Sequence, residues 1–174
     1  MCALSIAATG AQAQYRHRYE REPKQVEHPA PAVPVDKRDR VVATGAFAGR
    51  PYWLALAQCG GIYFKLNVLY TDVAVHARVV KPDPTLNTES TKKLNEAINA
   101  ATTFFDAAAE FLMTDRGIER DEAVLIYDTQ SRAVGDRAKS INEAQAAAQS
   151  CPALYEACQQ AHAKECSETL TPIS

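Results

Sequence analysis

The chain lacks most of the short signatures that announce an activity. It has no G-x-S-x-G elbow, no H-E-x-x-H helix, no Gly-rich phosphate loop followed by Lys, and no G-x-G-x-x-G fingerprint. In their usual forms this excludes the α/β-hydrolases, the zinc proteases, the P-loop NTPases and the dinucleotide-binding folds. No C-x-x-C pair and no C-x-x-C-H occur either, so zinc ribbons, thioredoxin-like redox motifs and c-type haem attachment are also excluded. An excess of one charge is missing. Lys and Arg number 19 against 21 Asp and Glu, for a net charge of -2, which argues against a protein that holds nucleic acid by neutralising phosphates.

Long hydrophobic runs are missing too. A membrane-spanning helix needs roughly 20 apolar residues with few or no charges, and the most apolar stretch, residues 52–70, is broken by Gln58, Lys65 and Asn67 before Asp72 and His76 follow. No transmembrane segment is therefore expected in the mature chain. Neither Asn-Gly nor Asp-Gly occurs to turn a hairpin between β-like runs.

What remains is 174 residues, 47% hydrophobic and 23% charged, enough for one domain with a real core. The charge is unevenly placed. Residues 14–50 hold eight Lys and Arg against five Asp and Glu, and the rest of the chain is mildly acidic. Residues 1–13, "MCALSIAATGAQA", read as the remnant of a secretory signal ending in Ala11-Gln12-Ala13, a pattern signal peptidase accepts. No Lys or Arg precedes the apolar run, so Met1 is compatible with an internal start. Residues 14–50 read as a flexible linker rich in proline and charge, with too little apolar surface to offset the entropy of ordering it. Within it Pro29–Pro34 favours polyproline II, and Arg16, Arg18, Arg21 and Lys24, interleaved with Tyr15 and Tyr19, can make peripheral contact with an anionic membrane surface or an acidic partner.

Residues 51–174 are expected to form a disulfide-stabilised all-α domain, an antiparallel bundle of three long helices and a short C-terminal one. In the first, Tyr52, Leu56, Cys59, Tyr63, Leu66, Tyr70, Val73, Ala77 and Val80 recur at alternating steps of four and three, one helical face over eight turns. Pro51 suits a helix start, and Pro82 and Pro84 form a stop. Glycine costs a helix roughly 1 kcal/mol against alanine, so the Gly60-Gly61 pair implies close approach of another helix. The rival is a β-hairpin turning at those glycines, supported by the alternation of Ile62, Phe64, Leu66, Val68 and Tyr70. The second helix, capped by Asn87 or Thr88, repeats through Leu94, Ile98, Ala101, Phe105, Ala108 and Leu112 and ends at Gly117. A third spans Glu119 to Ser150, and a fourth starts near Pro152.

Without Cys2 the cysteines are Cys59, Cys151, Cys158 and Cys166, an even number that suggests disulfides in an exported chain. Residues seven or eight apart on a continuous helix are roughly 10–12 Å apart, too far for a disulfide. At least one intramolecular bridge should therefore contain Cys59, with Cys158 the preferred partner. The other two need a broken helix end or a second molecule. Cys158, His162 and Cys166 also form C-x3-H-x3-C, in which neighbouring members can chelate zinc or copper, with His76 as a conceivable fourth ligand. The acidic residues Asp115, Glu119, Asp121, Glu122 and Asp128 cluster around a helix start, where the dipole favours them. Trp53, Phe64, Phe104 and Phe111 flank the predicted seams and are candidates for an exposed interaction face.

No catalytic residue and no cofactor is called for, because acid, base and nucleophile candidates do not converge at any readable spacing. The expected function is that of an exported, periplasmic or secreted, non-enzymatic helical module that binds a protein partner or itself. The alternative is a metal- or small-ligand-binding protein of the same compartment using Cys158, His162 and Cys166.

Overall fold

Pro51 opens the first helix with extended backbone (φ -53°, ψ 137°) and no side-chain cap. From there the chain runs as α1 (Tyr52–Val75), a π-helical turn (His76–Val80), α2 (Pro84–Arg116), α3 (Arg120–Gly135), α4 (Ile141–Ala148) and α5 (Cys151–Ala161). The structure is a computed structural model and describes residues 36–167. The signal remnant, Cys2 and the linker as far as residue 35, including Tyr15 to Lys24, lie outside the described residues. The protein is all-α, and α1 does not reverse at its glycines.

Partners along the helices give their directions. Tyr52 stacks on Phe111 with ring centroids 4.9 Å apart, and Tyr63 stacks on Phe104 at 5.4 Å. Asn67 donates to the Leu94 carbonyl at 3.0 Å. Positions rise along α1 as they fall along α2, so the two are antiparallel. α3 runs back alongside α1, since Gly61 meets Ser131 and Gly135 approaches Lys65. α4 and α5 then descend: Gln145 donates to the Tyr70 hydroxyl at 3.0 Å, Cys151 bonds Cys59, and the His162 ring sits against Tyr52.

The close approach implied by the glycine pair is present. A Cβ on Gly60 would overlap the Phe105 ring, and one on Gly61 would overlap the Ser131 carbonyl of α3. Gly135 answers from the other side, where a Cβ would lie 2.8 Å from the Gly61 oxygen. Two backbones thus meet with no side chain between them.

Three expectations about the helices need correction. α2 begins at Pro84, earlier than Asn87 or Thr88, because proline's missing N–H costs nothing at the first helical position and the Asp83 side chain accepts from the Leu86 N–H at 3.0 Å. The third helix breaks after Gly135. A new N-terminus forms where Ser140 accepts from the Glu143 N–H at 3.3 Å and the Glu143 carboxylate accepts from the Lys139 N–H at 2.7 Å, a reciprocal cap that the S-x-x-E spacing encodes. The apolar face of α2 is centred on Ala97, Ala101, Phe104, Ala108 and Phe111, which are buried, whereas Leu94, Ile98 and Phe105 lie at its edges. That rotation puts Phe104 and Phe111 in the core. Trp53 joins them at 1% exposure, and of the four aromatic candidates only Phe64, at 49%, faces outward.

Two cysteine pairs lie at disulfide distance, Cys59–Cys151 with Cα atoms 5.7 Å apart and Cys158–Cys166 at 5.9 Å. The bridge containing Cys59 is present, but its partner is Cys151 rather than Cys158. α5 starts with Cys151 facing Cys59 and ends at Ala161, after which residues 162–167 hook back and bring Cys166 onto Cys158. In a chain-entropy account, closing a loop of roughly 90 residues stabilises the fold by on the order of 4 kcal/mol.

Gly61→Ala tests the α1–α3 contact. In an unobstructed helix interior the change would stabilise by roughly 1 kcal/mol. Here urea unfolding should show a loss of about 2–3 kcal/mol, the cost of overpacking two backbones, and an unchanged or raised midpoint would contradict the packing.

Candidate functional site

Two places gather side chains whose chemistry exceeds simple packing. The first is the bundle end where α1 starts and α2 and α5 finish. Residues 36–50, expected to belong to the flexible linker, are docked there. The Val42 N–H donates to the Arg50 carbonyl at 2.9 Å, the Gly49 N–H to the Val42 carbonyl at 2.8 Å, and the Tyr52 N–H to the Arg40 carbonyl at 2.9 Å. Val42 is buried, Phe47 packs against the core, and Gly45 and Gly49 take the positive φ that turns this loop.

Ion pairs hold the segment down. Asp39, with a fully buried side chain, receives a two-pronged bond from Arg116, Nε to Oδ1 at 2.8 Å and Nη2 to Oδ2 at 2.7 Å. Trp53 Nε1 and the Asp36 N–H also donate to its Oδ2, each at 3.1 Å. Arg40 reaches the other way. Its backbone N–H and Nε donate to Asp115 at 2.9 and 2.6 Å, its Nη2 donates to Glu165 at 3.0 Å, and its guanidinium lies 4.5 Å from the Phe111 ring centroid. Burial pushes the Asp39 carboxyl up, but the bonds from Arg116 and Trp53 outweigh it and hold the group below its ordinary value. Residues 36–50 are therefore packed on the bundle rather than extended away from it, held by charged residues buried in mutual pairs where apolar surface is scarce.

The metal set is not assembled. Cys158 and Cys166 are joined to each other, so neither offers a thiolate. His162 Nδ1 lies 3.5 Å from the Arg40 guanidinium, a cation itself. His76 belongs to the opposite end of α1, about 36 Å from Tyr52 at 1.5 Å per residue. Among the described residues no group of three His, Cys, Asp or Glu is placed to hold a metal ion. Of the acidic cluster, Asp115 serves Arg40, Asp128 pairs with Arg132 at 2.8 Å, and Asp121 and Glu122 occupy the first turn of α3.

The second place is a groove of about 400 Å³ between α1 and α3. Its floor is Gly61, Phe105, Ser131 and Gly135, its α1 wall is Phe64 and Val68, and its rim carries Lys65, Asp128, Arg132 and Asp136. The glycines that let the helices touch leave this hollow beside the contact. Along α1 the wall continues as a stripe, Phe64 and Val68 followed by Val75 and Val79, the last two 54% and 68% exposed. The spacing of four, seven and four residues was visible in the sequence, but it was absorbed there into the β-branched pattern that suggested a strand. A further hollow, of about 420 Å³, is polar; its Arg120 is already bonded to Asp106 at 3.0 Å and Glu110 at 3.3 Å.

Among the described residues no helix is long and apolar enough to cross a membrane. Comparison with protein families, with curated proteins and with solved structures finds no match for this chain.

Asp39→Asn removes the charge that Arg116 was buried to meet, and should cost about 3 kcal/mol at pH 7. A carboxyl whose folded pKa is depressed contributes fully above its unfolded value, near 3.9, and loses that contribution as pH falls through the folded value. The gap between wild type and variant in chemical denaturation should therefore be constant from pH 7 to about 5 and narrow below about 4. A gap that widened on acidification would contradict the assignment.

Proposed function

We propose that this protein is an exported, non-enzymatic helical module of the bacterial cell envelope, periplasmic or secreted, that works by protein–protein contact through the outward face of α1. The observation that carries this reading is the set of Phe64, Val68, Val75 and Val79, large apolar side chains left exposed along one side of α1 and the turn that follows it. Exposed large apolar residues scattered singly are ordinary, but two pairs, each one turn apart on one side of a helix and the first beside a groove, mark a contact surface. Two disulfides support the compartment, since such bonds persist where the surroundings are oxidising.

The occupant that the spacing fits is a second copy of the chain. Intervals of four, seven and four read the same in both directions, so an identical helix laid antiparallel sets Phe64 against Val79 and Val68 against Val75. A two-fold interface requires that self-complementarity. The π-helical turn at His76–Val80 contributes by changing the angular step after Val75, which keeps Val79 close to the row. The groove beside Phe64 gives the partner's side chains a recess with charges of both signs at its edge.

Sedimentation equilibrium of the oxidised protein from about 1 to 100 µM, a range suited to small interfaces, should show reversible dimerisation. Phe64→Ser should weaken it at least about tenfold while the monomer stays folded, its thermal midpoint lowered by no more than about 5 °C because only half of the side chain is buried. A wild type that stays monomeric across that range would overturn self-association through α1.

A further inference from the structure

The hook after α5 is coupled to the N-terminal clasp in a way that the packing of the bundle does not require. Residues 162–167 contain no helix, and Ala163, Lys164 and Ser167 are exposed. Among the described residues the hook is held by the Cys158–Cys166 disulfide, by the His162 ring edge-on to Tyr52 and Phe111 and beside Arg40, and by the buried Glu165 carboxylate on Arg40. Arg40 in turn has two carboxylates, Asp115 on α2 and Glu165 on the hook. One guanidinium thus ties the N-terminal segment to a loop that a disulfide closes.

From this arrangement we infer that Cys158–Cys166 is a redox latch on the N-terminal segment, distinct in role from the structural bridge Cys59–Cys151. All four sulfur-bearing residues are buried, so a reductant reaches either bond only after some part of the fold opens. The openings differ in size. Exposing Cys59–Cys151 means parting the whole of α5, with its buried Leu154 and Tyr155, from the middle of α1, a larger opening. Exposing Cys158–Cys166 means lifting only the six-residue hook, a local opening of lower free energy. Arg40 sets that free energy because lifting the hook breaks its bond to Glu165.

The chemistry requires a dithiol reductant. Its thiolate attacks one sulfur of the Cys158–Cys166 pair, the S–S bond breaks, and the other cysteine departs as a thiolate that takes up a proton. The reductant's second thiol then closes on the mixed disulfide, releasing the remaining cysteine as a thiol and leaving with the oxidation as a cyclic disulfide. Two electrons and two protons pass to the protein. Once the bond is open the described part of the hook is held by the His162 contacts and the Arg40–Glu165 pair, and when it lifts Arg40 loses Glu165 and keeps Asp115 and the Phe111 ring. The N-terminal segment is then released more readily, while the bundle stays stapled by Cys59–Cys151.

Timed exposure of the oxidised full chain to dithiothreitol at neutral pH without denaturant, followed by alkylation and peptide mapping, tests the latch. Cys158 and Cys166 should be alkylated first, with Cys59–Cys151 still intact. Glu165→Gln should accelerate that first step about tenfold, the factor given by loss of one charge-assisted hydrogen bond in an opening equilibrium, and leave the second step, which starts from a hook already parted from Arg40, unchanged. In the opposite direction, Cys158→Ser combined with Cys166→Ser should speed native-state tryptic cleavage of the Arg40–Val41 bond about tenfold, a second reading of the same coupling that does not depend on Glu165→Gln folding. Simultaneous reduction of both bonds, earlier reduction of Cys59–Cys151, or cleavage at Arg40–Val41 that ignores the serine pair would each overturn the latch.

Discussion

The architecture follows from one constraint on α1: its first three turns are covered on almost every side, and its later turns on one side only. From Tyr52 to Tyr63 every residue except Leu54 and Gln58 is buried. A helix can be enclosed in that way only if its neighbours come close, and closeness is limited by side chains. Gly60 and Gly61 remove that limit, letting the Phe105 ring and the backbone of α3 reach the helix surface. Cys59, one residue earlier, is where α5 is bonded. Beyond Leu66 the covering thins, the buried positions fall back to a single row at Leu66, Tyr70, Ala74 and Ala77, and the outward row becomes available for something else.

That change of environment explains why α1 was the hardest element to read. A helix enclosed all round shows little amphipathic contrast, and the valines of its second half satisfy a strand pattern as well as they satisfy a helix. The step of four and three through Tyr52, Leu56, Cys59 and Tyr63 decided correctly in favour of a helix. In α2 the small alanines blur the seam, since alanine is tolerated on every face, and the bulky Phe104 and Phe105 sit side by side. Which of the two points inward depends on the α1 surface that they meet: Phe105 rides over Gly60 at the edge, and Phe104 fills the space beside Tyr63 and Tyr155. The break after Gly135 was legible, because Ser140 and Glu143 spell a helix start, yet the alanine-rich run that follows it reads as a continuation of the helix.

The N-terminal clasp shows a different limit. Nothing local to "DKRDR" sets it apart from a solvated charged stretch; its order comes from Trp53, from the last turn of α2 and from Glu165, up to 125 residues away in the chain. Charges that look alike in sequence are unlike in place. Asp39 and Asp115 lose almost all contact with water, whereas Asp36 and Arg38 form an exposed pair. Such burial is tolerated because each carboxylate accepts from a guanidinium, Asp39 on both oxygens and Asp115 from Arg40 Nε and the Arg40 N–H together, and breaking either partner leaves a bare charge inside the protein.

The disulfides fit that division between fixed and releasable parts. Cys59–Cys151 closes 92 residues of sequence and joins two helices in mid-core, so it restrains the unfolded chain strongly and opens only when α5 parts from α1. Cys158–Cys166 spans eight residues and restrains little but the hook itself. In the same chain-entropy account its short loop contributes less, about 2 kcal/mol, and the proposed latch acts through Glu165 and Arg40. The clasp and the hook lie at the start of α1, while Val75 and Val79 lie near its far end, about 40 Å away by helical rise. The segment that leads into the domain and the row available for contact are thereby kept apart by the length of a helix stapled at its centre, so each can engage its own surroundings without the other being covered.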